Sequence, residues 1–138
     1  MRALGLDWGA QRVGLAVADT VAPVAIPRGT EINDKGLVMK LAGFVLAEHV
    51  EQIVIGLPLT MAGEEGEMTK RVRAFGKVLA EATALPIAFV DERLSSRDTD
   101  SEAPQGRDAQ AAATILQLWL DQRTRNDTKQ KTKEHERE

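Results

Sequence analysis

Three acidic residues far apart in the sequence each lie at the end of a predicted strand or helix: Asp7, Glu92 and Asp108. Asp7 closes a strand predicted over residues 3–7, Glu92 follows one predicted over residues 86–90, and Asp108 opens the last predicted helix. Carboxylates that converge repel one another unless a cation lies between them. Oxygen ligands without His or Cys favour Mg²⁺ or Mn²⁺. Two such ions are typical of phosphodiester hydrolysis, in which one activates the attacking water and the other stabilises the leaving oxygen.

The spacing around Asp108 predicts that its carboxylate lies on the helix face that packs against a sheet. Ala111, Ala112, Ile115 and Trp119 follow it at helical intervals. The two alanines would let the helix approach the sheet closely. Because this approach brings Asp108 towards the strand ends, we expect it to meet the other two acids there.

Each acid also has a purely structural interpretation, which the residues alone leave open. Asp7 could cap the turn that begins at Trp8. Asp108 could be an ordinary charge at a helix N-terminus, and Glu92 could pair with Arg93 on the surface. The shared placement of all three acids at element ends favours the metal-site hypothesis.

Four basic residues are candidates for holding a nucleic-acid backbone. Arg12 and Arg93 each lie within a few residues of a proposed metal ligand. Lys70 and Arg71 belong to a basic helix predicted over residues 67–83, which could equally be a solvated face. The loop before this helix could offer backbone N–H groups to a phosphate, or it could be a plain turn.

The composition limits the chain to one domain without thiol chemistry. At 138 residues it has room for one hydrophobic core, and the absence of cysteine excludes disulfides, thiolate metal sites and cysteine nucleophiles. No stretch is apolar enough for a signal sequence or a membrane span, so we expect a cytoplasmic protein with no membrane partner. The formal net charge of −3 argues mildly against a nucleic-acid substrate. Two divalent ions at the proposed site would reverse that balance locally, so the charge does not exclude such a substrate.

The hydrophobic pattern predicts an α/β fold. We expect a mixed β-sheet of three meander strands followed by helix-linked parallel strands, flanked by helices. The β-branched, apolar run at residues 52–57 indicates an interior parallel strand. Pro23 and Pro27 suit an edge or a bulge better than a central position for the third strand. The predicted strands span residues 3–7, 13–18, 24–32, 52–57 and 86–90.

Three helices are predicted between and after these strands. The first begins at Asp34, a plausible N-cap, and ends near residue 49. The second spans residues 67–83 and the third residues 107–122. Residues 123–138 contain no apolar side chain, which predicts a charged C-terminal tail after a domain of residues 1–122.

Four motifs follow one another in order along the chain: GLDWGAQRVG at residues 5–14, GLPLTMAG at 56–63, DERLSS at 91–96 and DAQAAATIL at 108–116. Together they resemble the motifs of the YqgF/RuvX family of RNase H-like nucleases over nearly all of the first 120 residues. The resemblance implies an RNase H-like fold, a divalent-metal site and a nuclease that matures the 5′ end of pre-16S rRNA, with Holliday junction resolution as the alternative. It also implies catalytic and metal-binding roles for Asp7, Glu92 and Asp108.

The chain departs from the family pattern in two places, and other function classes stay open. Ser95 and Ser96 stand where the family has threonines, and the segment 97–107 is short and lacks a clear helix. One alternative is an actin-like ATP-binding fold, although a single domain offers no second wall for its cleft. Another is a non-catalytic RNA-binding module. Symmetric cutting of a branched DNA would call for a homodimer.

Overall fold

A computed structural model describes residues 1–94 and 104–136, and in that part of the chain the elements follow the predicted order βββαβαβα. A short 3₁₀ helix, Glu92–Leu94, follows the last strand directly. The strands are β1 (Arg2–Trp8), β2 (Arg12–Asp19), β3 (Ile26–Ile32), β4 (Val50–Leu57) and β5 (Ile87–Asp91). The helices are α1 (Leu37–Ala47), α2 (Glu67–Thr83) and α3 (Pro104–Glu136).

The five strands form one mixed sheet in the order β3-β2-β1-β4-β5. The pairs β1–β2 and β2–β3 are antiparallel and make the meander, whereas β1–β4 and β4–β5 are parallel. The predicted architecture and the interior position of β4 are therefore confirmed. The strand that carries Pro27 lies at an edge, as predicted, and its register with β2 shifts next to this residue, which has no N–H to donate.

Helices cover both faces of the sheet, and each face has its own apolar core. Because successive side chains of β1 point to opposite faces, this strand contributes to both cores. Leu4 and Leu6 belong to a core that α1 and α2 complete, with Leu41 among its buried members. Ala3 belongs to a second core on the other face, where α3 contributes Ile115. Full burial of each leucine or isoleucine in these layers contributes about 1.5–3 kcal/mol, so both faces stabilise the position of β1.

Two sequence predictions about helix and strand environment are wrong. Asp34 is not the N-cap of α1, because the helix begins three residues later and the Asp34 carboxylate accepts the N–H of Gly36 (2.9 Å) in the preceding turn. The apolar run at residues 86–90 predicts a buried strand, but the strand β5 lies at an edge of the sheet, and Val90 is its one fully buried residue. An apolar run therefore also occurs in an edge strand whose side chains are mostly half-buried.

The last helix is longer than predicted at both ends. Pro104 stands at its first position, where a missing N–H costs nothing, so part of the segment expected to lack a helix is helical. Residues 97–103, the rest of that segment, lie outside the described residues. No glycine or proline interrupts the chain beyond Gly106, and the helix continues through the predicted tail to Glu136. In the described part of the chain, no helix is long and apolar enough to cross a membrane.

Candidate active site

The carboxylate of Asp7 belongs to the face of the sheet that α3 covers. Two residues earlier on the same strand, a Cβ atom at Gly5 would meet the Leu116 Cβ at 2.7 Å and the Ala112 carbonyl at 2.9 Å, both on α3. Side chains two positions apart on a strand point to the same face. Asp7 therefore projects on the α3 side, while its neighbours Leu6 and Trp8 pack in the opposite core.

Helix α3 brings Asp108 to the same end of the sheet. Gly14 of β2 lies directly opposite Asp7, and a Cβ atom there would be only 1.9 Å from the Asp108 carbonyl oxygen. The backbone of α3 thus touches the backbone of β2 at this point, which only a glycine permits. Asp108 lies in the second turn of the helix and not at its opening, because the helix begins at Pro104.

Glu92 approaches from the other side of β1. It begins the 3₁₀ helix after β5 and is only 7% exposed. A Cβ atom at Gly56 would be 2.6 Å from the Glu92 Oε1 and 2.4 Å from Ile115 Cδ1, so the Glu92 side chain lies over β4 on the α3 side. Gly56 follows Ile55, whose partner is Leu6, and is therefore level with Asp7 on the neighbouring strand.

The backbone thus places the three predicted acids on one face of the sheet, at the edge formed by the ends of strands β1, β4 and β5. Neighbouring strands of a sheet are about 4.8 Å apart. The donors are all carboxylates, which fit a hard cation such as Mg²⁺ or Mn²⁺. Their oxygens do not converge: among residues 1–94 and 104–136, no three His, Cys, Asp or Glu side chains form a group that could hold a metal ion. The carboxylate of Asp108 instead accepts a hydrogen bond from Arg12 Nε at 3.0 Å.

The turn between β1 and β2 holds Arg12 in position for that ion pair. The Gly9 N–H donates to the Arg12 carbonyl at 2.9 Å, which closes the turn. Asn33, just after β3, donates its side-chain N–H to the Gly9 carbonyl (2.7 Å) and its backbone N–H to the Gln11 carbonyl (2.9 Å). Sequence reasoning did not identify Asn33, because its partners lie more than 20 residues away along the chain.

Arg93 pairs with Asp91 and not with Glu92. Its Nη2 and the Asp91 Oδ2 are 2.7 Å apart, and its backbone N–H also donates to this carboxylate. The side-chain hydrogen bond from Arg93 lowers the pKa of Asp91. The Arg93 Nη1 donates to the Met61 carbonyl at 3.4 Å, and its guanidinium lies against Gly63. Arg93 therefore connects the end of β5 to the loop that follows β4.

Thr69 fixes the two ends of that loop, residues 58–66. Its hydroxyl is fully buried at the start of α2, donates to the Pro58 carbonyl and accepts the Gly66 N–H at 3.3 Å. The sequence indicated this loop as a possible phosphate-binding turn but did not indicate the role of Thr69. A threonine at the third position of a predicted helix that follows a loop is the sequence signal that could have found it.

The three basic residues in the first two turns of α2 divide into two groups. Lys70 and Arg71 are exposed on the first two turns of the helix, near the loop. Arg73 is engaged, because it pairs with Glu65 and lies over the Phe89 ring, 5.2 Å from its centroid. The exposed pair is therefore available to a ligand at this edge of the sheet.

Comparisons with known proteins found a matching family model and several named relatives. The family model described as “RuvX: Holliday junction resolvase” matches residues 1–122. A relative from Anaeromyxobacter sp. (strain Fw109-5) is 41% identical over 135 residues, which cover 89% of this chain and 98% of the relative. A relative from Synechocystis sp. is 38% identical over 136 residues and covers 88% of each chain. Both carry the name “Putative pre-16S rRNA nuclease”.

Among solved structures, the chain is similar to RuvC of Thermus thermophilus in complex with a Holliday junction substrate. The TM-score is 0.60 at 16% sequence identity, and the match covers 90% of this chain and 96% of that chain. A second structure of the same RuvC has a TM-score of 0.60 at 12% identity. These likenesses confirm the expected RNase H-like sheet flanked by helices.

Proposed function

The chain belongs to the RuvX family, and from that membership we propose that it is a metal-dependent nuclease that processes the 5′ end of pre-16S rRNA. The observation that carries the proposal is the position of Asp7, Glu92 and Asp108 on one face of the sheet, at the edge where β1, β4 and β5 end. Names of relatives support the substrate class. A cytoplasmic location follows from a substrate of this kind.

The three acids are the residues that would hold Mg²⁺ or Mn²⁺, in two ions under this proposal. The bound ions would activate water and stabilise the developing charge on the phosphodiester. Arg12 already holds the carboxylate of Asp108 and is placed to exchange that partner for a phosphate oxygen. Glu92 is nearly buried, and its side chain packs between Gly56 of β4 and Ile115 of α3, which restricts the movement of its carboxylate.

The nucleic-acid backbone is proposed to run from this edge of the sheet along the first turns of α2. Lys70 and Arg71 supply two exposed cations there. Arg93 contributes indirectly, since its guanidinium is already shared between Asp91 and the loop at residues 58–66. Each phosphate contact of this kind adds affinity that falls as salt rises.

Replacement of Arg71 by glutamate should weaken binding of a structured RNA about tenfold at low salt and reduce the slope of log K against log [salt] by about one. The reason is the loss of one phosphate contact and the gain of one repulsive charge. Arg125→Glu is the matched control, because Arg125 is exposed and lies about 25 Å along α3 from Asp108. Filter binding of the two variants across salt concentrations measures both quantities. Equal slopes for wild type and Arg71→Glu would show that Arg71 makes no contact with the nucleic-acid backbone.

A second candidate function is resolution of Holliday junctions, which the description of the matched family favours. This activity requires two equivalent cuts on opposite strands, so two copies of the chain would act as a homodimer on branched DNA. The same acids would serve either substrate.

One cleavage experiment separates the candidates. Highly purified chain is incubated with a pre-16S rRNA fragment that includes the 5′ extension, with single-stranded DNA and with a four-way DNA junction, each in Mg²⁺, in Mn²⁺ and in EDTA. The proposal predicts metal-dependent cleavage of the RNA at the mature 5′ end. Preferred cleavage of the junction at symmetric positions would favour the second candidate, and ATP binding without any cleavage would contradict both.

A further inference from the structure

Arg12 and the proposed metal ions require the same carboxylate. The Arg12 Nε donates to the Asp108 Oδ2 at 3.0 Å, and Asp108 is one of the three acids proposed to hold the metal. A guanidinium and a divalent cation that share one carboxylate repel each other, and each weakens the attraction of the other to its oxygens. The ion pair and the binding of a metal ion therefore oppose each other.

The backbone on both sides of this ion pair is fixed, so the side chains alone can exchange partners. The Gly9 N–H and the Asn33 side chain close the turn that carries Arg12. A Cβ atom at Gly14 would be 1.9 Å from the Asp108 carbonyl oxygen, so the start of α3 already touches β2. Rotation of two side chains is therefore enough to separate the guanidinium from the carboxylate, and no strand or helix has to move.

The exposure of both side chains makes this ion pair weak enough to exchange. The side chains of Arg12 and Asp108 are 41% and 27% exposed. An ion pair that water reaches in this way changes an equilibrium by up to about fivefold. A divalent cation held by several carboxylates binds more strongly than such a pair. The contact therefore adjusts the affinity for metal without preventing metal binding.

The guanidinium of Arg12 is suited to a phosphate once its carboxylate partner has another cation. A guanidinium has five N–H donors in a planar fork that matches two phosphate oxygens, and the hydrogen bond to Asp108 is made by Nε. While the pair is intact, the negative charge of Asp108 lies beside the guanidinium and repels an approaching phosphate. The same contact therefore weakens the binding of nucleic acid and the binding of metal.

We propose that the Arg12–Asp108 ion pair couples the two binding events: a divalent cation takes the Asp108 carboxylate, Arg12 moves to a phosphate oxygen, and each ligand raises the affinity for the other. The inference rests on the nuclease function proposed above and adds the way in which its site is regulated. The coupling is reciprocal, because the factor by which metal raises the affinity for nucleic acid equals the factor in the other direction. Arg12 thus favours assembly of the complete site on a bound substrate.

The test is a double-mutant cycle with four full chains: the wild type, Arg12→Gln, Asp108→Asn and the double variant. Mn²⁺ affinity is measured by electron paramagnetic resonance without RNA. Affinity for a fluorescently labelled RNA hairpin is measured by anisotropy in EDTA, so neither measurement depends on cleavage. Arg28→Gln is the matched control, because Arg28 pairs with Glu48, has 38% of its side chain exposed and lies over Phe44 of α1, which covers the opposite face of the sheet. Thermal unfolding checks that every variant is folded.

We expect Arg12→Gln to bind Mn²⁺ about fivefold more tightly than the wild type, and the same substitution to change the affinity less than twofold when residue 108 is already asparagine. In EDTA, Asp108→Asn should bind the hairpin about fivefold more tightly than the wild type, and less than twofold of this gain should remain in the double variant. Arg28→Gln should match the wild type in both measurements.

Three results for Mn²⁺ would overturn the inference and leave the nuclease proposal intact. An equal rise in affinity in both backgrounds would show that Arg12 acts through its long-range charge alone. A fall in affinity in Arg12→Gln would show that Arg12 orients Asp108 towards the ion, and an unchanged affinity would show that the two cations do not compete. If the wild type neither binds Mn²⁺ nor cleaves RNA, the nuclease proposal fails and the inference fails with it.

Discussion

Replacement of Asp7 by asparagine should lower the rate of RNA cleavage about a thousandfold, which corresponds to about 4 kcal/mol of transition-state stabilisation. Asparagine has the same shape but no charge, so it holds a divalent cation poorly. Asp7 lies on the α3 face of β1, level with Gly14 on one neighbouring strand and with Gly56 on the other. Loss of its charge therefore affects the centre of the proposed site. Single-turnover cleavage in Mg²⁺ measures the effect.

The control for Asp7→Asn is Glu51→Gln. Glu51 is exposed at the start of β4, at the opposite edge of the sheet, so this variant removes the same charge without touching the site. Its cleavage rate should equal that of the wild type, and both variants should unfold within a few degrees of it. Identical residual cleavage by highly purified wild type and Asp7→Asn would show that the activity comes from a contaminant. It would contradict the catalytic role proposed for Asp7.

Replacement of Gly14 by alanine should destabilise the chain by about 3 kcal/mol or more, because the new methyl group would overlap backbone. The Cβ atom would be 1.9 Å from the Asp108 carbonyl oxygen and 2.2 Å from the carbonyl carbon, neither of which can rotate away. The start of α3 must shift, and Asp108 moves with it. We expect Tm to fall by about 10 °C and cleavage to fall even at temperatures where the variant is folded.

Gly43→Ala is the comparison for Gly14→Ala, because the same substitution should raise the stability of the chain instead of lowering it. A Cβ atom at Gly43, in the middle of α1, would meet nothing within 4 Å. Alanine there should stabilise the chain by about 0.5–1 kcal/mol, since glycine is a poor helix former. Thermal unfolding of both variants compares the two sites directly. A Gly14→Ala chain as stable as wild type would mean that α3 does not press against β2 as described.

The order of elements was predictable because it depends on local patterns. The apolar run ending at Leu57 indicated β4, and the spacing of Leu37, Leu41 and Val45 indicated α1. The placement of the three acids at one end of the sheet was predictable because each stands where a strand ends or near the start of a helix, whereas their role as metal ligands stays a prediction. Such positions converge in a sheet of parallel strands.

The close contacts within the site were not predictable, because they depend on residues that meet only in three dimensions. Nothing in the sequence shows that Gly14 faces the backbone of Asp108, or that Arg12 takes the carboxylate of Asp108 as its partner. Local charge suggested that Arg93 would pair with Glu92. The side chain instead pairs with Asp91, because Glu92 turns inward over Gly56. The length of α3 was missed because a helix without an apolar stripe has no periodic signal beyond Leu120.

Direct measurement of Mn²⁺ binding tests most clearly whether Asp7, Glu92 and Asp108 form a metal site. Electron paramagnetic resonance reports free Mn²⁺ during titration of the wild type and of Asp7→Asn, Glu92→Gln and Asp108→Asn. Glu64→Gln, an exposed acid in the loop at residues 58–66, is the control. We predict that the wild type and Glu64→Gln bind Mn²⁺ alike and that each of the other three variants loses about tenfold or more in affinity. Binding that survives all three substitutions, or no binding by the wild type, would contradict a metal-dependent nuclease at this edge of the sheet.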